Sequence, residues 1–169
     1  MNDQQVIRGQ EWLATLFRHL GMILQIDTAR PKTLPDQLSD FGGCWLTIDD
    51  QDLSPEQIDW LMEDQGQVLD AMQYLINSTL NLGQDPSARV SYTIEFRGLR
   101  AQRYTELSNL AHQAVQKVLQ TQQPYELASL SAVERRLVHT MLVDEPQIET
   151  YSQGEEPHRC LVVCLATPS

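Results

Sequence analysis

Ser131-Ala132-Val133-Glu134-Arg135-Arg136-Leu137-Val138-His139 is the stretch from which the rest of the chain is read. Ser131 followed three residues later by Glu134 has the form of a capping box, so a helix is predicted to start here. Leu137, Val138, Met141 and Leu142 give that helix an apolar face. Arg135 and His139 are four apart and are expected on one side of it, able to meet one ligand together. Arginine brings a planar fork of donors suited to phosphate, and histidine a ring with a switchable charge.

Working outward, Thr150-Tyr-Ser152-Gln-Gly154-Glu-Glu-Pro157-His158-Arg159 carries turn signals and leads into an apolar strand, Cys160-Leu-Val-Val-Cys-Leu-Ala166. Helix, turn signals and a strand opened by an arginine resemble the small single-stranded nucleic-acid-binding module named for its Arg-three-spacer-His motif, here called R-three-H. Glu134, Arg135, His139, Ser152, Gly154, Pro157 and Arg159 stand in that family's order. The resemblance implies that Arg135 and His139 contact phosphate or base, with Arg136 and Arg159 beside them. Ser152 and Gly154 would shape the turn and lend backbone donors.

Upstream, residues 10–21 read as an amphipathic helix, Met22–Thr28 as a short strand and Cys44–Asp49 as a second strand. Ser54-Pro55-Glu56-Gln57 is a helix start, with Ile58, Leu61 and Met62 inward. Glu63-Asp64-Gln65-Gly66 separates it from a second helix whose inner face is Val68, Met72, Leu75, Ile76 and Leu80. Val90, Tyr92, Ile94 and Phe96 alternate with polar residues, which predicts a half-buried strand, and a long helix covers roughly 98–121. The order is helix, strand, strand, helix, tight loop, helix, strand, long helix. Leu61–Leu75 and Ile94–Arg103 resemble the loop, helix and strand of the KH domain in bacterial Jag-type (KhpB-type) proteins, and the likeness runs from about residue 44 to 165. In a KH domain the tight loop is a Gly-x-x-Gly clamp on nucleic-acid backbone. Here Glu63 stands at the first glycine and Asp64 and Gln65 at the middle positions, so only Gly66 is kept. Carboxylates facing phosphate are expected to impair the clamp. The family's N-terminal extension has no counterpart before the KH-like words, and its roles are not expected of this chain.

Composition bounds the alternatives. The chain has 169 residues, 41% hydrophobic, enough for one ordinary domain or two small ones, and a formal charge of −11. Residues 1–97 hold 15 acidic and 6 basic residues, whereas 98–169 hold 8 and 6. The acid belongs to the front, and any basic patch is local: the C-terminal arginines, and a secondary patch of Arg97, Arg100 and Arg103. Cys44, Cys160 and Cys164 form no C-x-x-C, and the four histidines are scattered, so buried thiols and no metal or cofactor are expected. Asp49-Asp50-Gln-Asp52 lacks the glycine and remaining ligands of a calcium loop. No catalytic motif is present, so an enzyme is not expected. No apolar run reaches the ~18 residues of a membrane span, and the chain is read as cytoplasmic, without membrane insertion.

The expected fold is α+β with two small domains, a KH-type three-stranded sheet with helices over 1–121 and an R-three-H α/β module over 122–169. The expected function is single-stranded nucleic-acid binding, RNA before DNA, through the C-terminal module. The Jag resemblance adds a regulatory role in envelope growth or division and a second KH protein as partner. The alternative is a protein-interaction adaptor whose KH fold has lost most of its RNA affinity.

Overall fold

The computed structural model describes residues 3–32, 34, 38 and 41–166. Mixed helices and strands form two compact units, Met1–Arg103 and Tyr104–Ser169, in agreement with the α+β, two-unit expectation.

The first unit contains α1 (Asp3–His19), β1 (Ile26–Asp27), β2 (Cys44–Ile48), α2 (Pro55–Met62), α3 (Gln67–Leu80) and β3 (Tyr92–Glu95). The sheet order is β1-β2-β3, with β1 antiparallel and β3 parallel to β2, Cys44 facing Tyr92 and Leu46 facing Ile94. Its core gathers Leu13 and Phe17 from α1, Leu46 from β2, Leu61 from α2, Leu69 and Ile76 from α3, and Ile94 from β3. α2 starts as its sequence dictates: the Ser54 hydroxyl accepts from the Gln57 amide, the Gln57 side chain accepts from the Ser54 amide, and Pro55 occupies the first helical position.

Three expectations are corrected in this unit. The strand expected over 22–28 is reduced to Ile26–Asp27. Leu75, expected inward, is exposed, and Leu69 is buried on α3 instead. The strand expected to be half buried is buried along its whole length, Thr93 and Glu95 included. Those two polar groups find partners inside: the Thr93 hydroxyl donates to the Gly42 carbonyl at 2.6 Å, and the Glu95 carboxylate accepts from the Ala101 amide at 2.9 Å, in the first turn of the following helix.

The outer edge of β3 is occupied by side chains of α3. Asn77 donates to the Tyr92 carbonyl and accepts from the Tyr92 amide, at 2.8 and 2.9 Å. Asn81 does the same for Val90, both at 2.8 Å, and Gln73 accepts from the Ile94 amide at 2.9 Å. Residues 73 and 77, with 81 at the end of α3, are one helical turn apart, and 92 and 94, with 90 just before the strand, are alternate residues whose backbone groups meet those amides. A row of amide side chains thus stands where a further strand would pair.

α4 (Leu99–Thr121) runs from one unit into the other. Leu107, Ala111, Ala114 and Val118 pack into the second unit's core. The contacts therefore divide the chain at 103/104, whereas the boundary expected from sequence lies after residue 121; most of the helix packs with the elements C-terminal to it. The second unit adds β4 (Tyr125–Leu127), α5 (Ala132–Leu142), β5 (Ile148–Gln153) and β6 (Cys160–Leu165). β6 lies between β4 and β5 and is antiparallel to both. Leu127, Leu130, Val138, Leu142, Ile148, Leu161 and Val163 complete its core. Of the three thiols expected to be buried, only Cys44 is; Cys160 and Cys164 are half-buried on β6, donating to the carbonyls of Gln153 and Glu149.

Candidate nucleic-acid interface

α5 begins at the predicted cap. The Ser131 amide donates to the Glu134 carboxylate at 2.7 Å, and the Glu134 amide donates to the Ser131 hydroxyl at 3.3 Å. Val138 and Leu142 anchor the helix on the sheet. Arg136 and His139 are left exposed.

Arg135 departs from the expectation that it meets a ligand alongside His139. Its side chain is 6% exposed. One terminal nitrogen donates to the Leu130 carbonyl at 2.7 Å and to the Arg159 carbonyl at 3.3 Å, and the other donates to the Glu156 carboxylate at 2.5 Å. Long side chains on a helix lean toward its N-terminus. Arg135 therefore reaches back under the β5–β6 loop, while His139, one turn on, meets the edge strand. His139 Nδ1 shares a hydrogen bond with the Thr150 hydroxyl on β5. Thr150 fixes the ring and was not singled out from sequence; only its place opposite the helix in the folded sheet reveals it.

β5 and β6 form a hairpin in which Ser152 faces Leu161 and Gln153 faces Cys160. Ser152 is exposed near its end. Gly154 opens the connecting loop at φ +86°, and a Cβ there would stand 3.2 Å from the His158 carbonyl oxygen. Glycine is therefore required both by the backbone and by the close return of the chain. The loop closes with the His158 amide donating to the Glu155 carbonyl at 2.8 Å, and the Glu156–Pro157 peptide is cis. Arg159 is exposed at the loop's end. The side chains of Arg136 and Arg159 make no ion pair with the described residues. The module thus presents two uncompensated guanidinium groups and an imidazole on α5 and the hairpin. These can contact phosphate and stack on bases.

The first unit offers less to a polyanion. Glu63, Asp64 and Gln65 form an exposed tight turn between α2 and α3, Glu63 extended and Asp64 and Gln65 left-handed. Gly66 is buried, and a Cβ on it would stand 2.4 Å from Leu99 Cδ2. The φ of +86° at Gly66 also suits glycine, so the backbone as well as the packing favours it. Of the secondary patch, Arg97 pairs with Asp50 at 2.6 Å and lies 5.9 Å from the Phe96 ring centre, and Arg100 pairs with Asp70. Arg103 is also engaged with neighbours. The patch read from sequence is thus largely spent on local acids. Two open grooves along α1, about 510 and 390 Å³, hold none of the candidate residues. Among the described residues, no group of His, Cys, Asp and Glu is arranged to hold a metal ion, and no helix is long and apolar enough to cross a membrane.

Residues 105–165 match the R-three-H domain family. That span covers the second unit almost entirely and, like the contacts, starts inside α4. Over 105 residues the chain is 32% identical to the RNA-binding protein KhpB of Clostridium symbiosum, covering 62% of this chain and 46% of that protein. The KhpB of Bacillus subtilis (strain 168) is 31% identical over 113 residues, 66% of this chain and 53% of that protein. The KhpB of Lactiplantibacillus plantarum is 24% identical over 164 residues, 97% of this chain and 46% of that protein. The chain spans about half the length of the curated relatives it matches.

Proposed function

We propose that this chain, a relative of the KhpB-type proteins with an R-three-H domain, binds single-stranded RNA through the exposed surface of that domain. His139, Arg136 and Arg159 are the proposed contacts, with Ser152 and Gly154 shaping the strand end beside them. The observation that carries the reading is the His139 ring tied to Thr150, with Arg136 on the same helix and Arg159 at the hairpin loop both exposed and without an ion pair to the described residues. An aromatic ring with flanking cations suits bases and phosphates of an unpaired strand and gives modest sequence preference. The role proposed is binding, without catalysis, and the RNA proposed is cytoplasmic. The test is fluorescence anisotropy with single-stranded RNA and with DNA of the same sequence, titrated across salt. Changing His139→Ala together with Arg136→Ala is expected to cost about 1–3 kcal/mol, the range for one lost stacking contact. Unchanged affinity removes this surface from the reading.

A second reading concerns the first unit, which we read as KH-like from the resemblance of residues 61–75 and 94–103. Glu63 and Asp64 in its loop, and the arginines held by Asp50 and Asp70, favour a protein partner over RNA there. A second KH protein is the proposed partner. Rebuilding the loop as Glu63→Gly with Asp64→Lys raises RNA affinity if the loop faces RNA. Pull-down with the first unit alone tests the partner.

A further inference from the structure

We infer that Arg135 is a positioning residue of the RNA surface: its guanidinium clamps the Gly154–Arg159 loop so that Arg159 takes phosphate beside His139 and Arg136. The inference rests on the RNA-binding reading above. Three pieces of chain converge on one planar fork. Leu130 precedes the helix cap, Arg159 leads into β6, and Glu156 sits at the tip of the loop between the hairpin strands. The fork is nearly buried, whereas the Glu156 side chain is 63% exposed. A phosphate reaching Arg135 would have to displace Glu156 and the backbone packed around it. The guanidinium donors of Arg136 and Arg159 remain at the surface, with the rings of His139 and His158.

The Glu156 pair is half wet, and such pairs contribute little to stability. Its effect is on geometry. Otherwise the loop is held, among the described residues, by its glycine turn and the bond from the His158 amide to the Glu155 carbonyl. Loss of the Glu156 contact frees the loop tip that leads into Arg159 and leaves only the long 3.3 Å bond from the Leu130-anchored guanidinium to the Arg159 carbonyl.

The sign of the charge change makes this testable. Glu156 is an anion beside a proposed polyanion site, so charge alone predicts that removing it tightens binding. The clamp predicts the reverse. Anisotropy of the full chain with a labelled single-stranded oligouridylate is expected to show Glu156→Ala binding about three- to tenfold more weakly, the effect of one oriented hydrogen bond. Glu156→Lys, which reverses the charge, is also expected to bind more weakly than the parent. Glu156→Gln keeps an acceptor for Arg135 and is expected within about twofold of the parent. Arg159→Ala lowers the slope of log affinity against log salt by about 0.7, one phosphate contact. Amide exchange over 154–159 in free Glu156→Ala is expected to accelerate with the melting temperature held. Affinity equal to or above the parent's in Glu156→Ala or Glu156→Lys overturns the clamp and leaves the RNA reading intact. A parent chain that binds no oligouridylate, and no single-stranded RNA of mixed sequence, overturns both.

Discussion

Asp64, Gln65 and Gly66 follow one another at φ 47°, 60° and 86°. Only glycine takes such angles without strain; aspartate tolerates them better than glutamine. Gln65→Gly is therefore expected to raise the stability of the first unit by about 0.5–1 kcal/mol, measured by urea unfolding. Glu63 sits at φ −55° and ψ 139°, ordinary extended backbone, and Glu63→Gly is expected to lower stability by a similar amount. A second prediction concerns pH. Burial pushes the Cys44 thiol up, and burial, with the charge of Cys44, pushes up the Tyr92 phenol against a smaller opposite effect of Arg8. Both groups ionise more readily unfolded than folded, so their contribution is full below the ordinary thiol range and is lost as pH rises through and above it. The melting temperature of the first unit is expected to fall on going alkaline, and less steeply in Cys44→Ala. The chemistry of Arg135 shows what residues alone convey. Its four-residue spacing from His139 is legible as a shared helix side. Its backward reach to Leu130, Glu156 and Arg159 depends on a loop that folds over it, which spacing along one helix does not contain.

The element that sequence reading passes over is the amide row of α3. Gln73 and Asn77 look like solvated helix positions, and Asn81 like the start of a loop, until β3 is placed beside them. Truncating one leaves strand backbone unpaired, so Asn77→Ala is expected to cost about 1–3 kcal/mol. Asn81→Ala is expected to cost less, because Val90 is half-buried where Tyr92 is buried. Urea unfolding of the two variants checks the order. Helix starts were legible because they are local: Ser54 with Gln57 and Ser131 with Glu134 close their boxes within one turn. Ser131→Ala is expected to cost about 1 kcal/mol in thermal unfolding. β5 was not legible as a strand. Thr150-Tyr-Ser-Gln is polar and mostly exposed, and pairs along an edge of the sheet, so hydrophobic alternation does not mark it.

For the molecule as a whole, acidity and the proposed RNA binding are reconciled by placement. The front 97 residues hold 15 of the 23 acids, and two arginines of the secondary patch are paired to them. Arg136 and Arg159 alone give a salt slope of about −1.4 on single strands, at about 0.7 per phosphate. A slope steeper than about −3 in the anisotropy titration would mean that further cations, Arg97 or Arg100 among them, leave their acids for RNA. The two-unit, α+β organisation was legible because each unit carries its own hydrophobic periodicity. Its boundary was less so, because α4 is one uninterrupted helix whose sequence does not say with which neighbour each turn packs. The amide row on β3 has one more consequence, for self-association. An open strand edge invites a second chain to add itself, which is how sheets grow into aggregates. In this sheet the longer route is shut by side chains, and the remaining edge, β1, is two residues long, too short to template a stable addition. The acidic chain thus protects its first sheet with three amides and a stub.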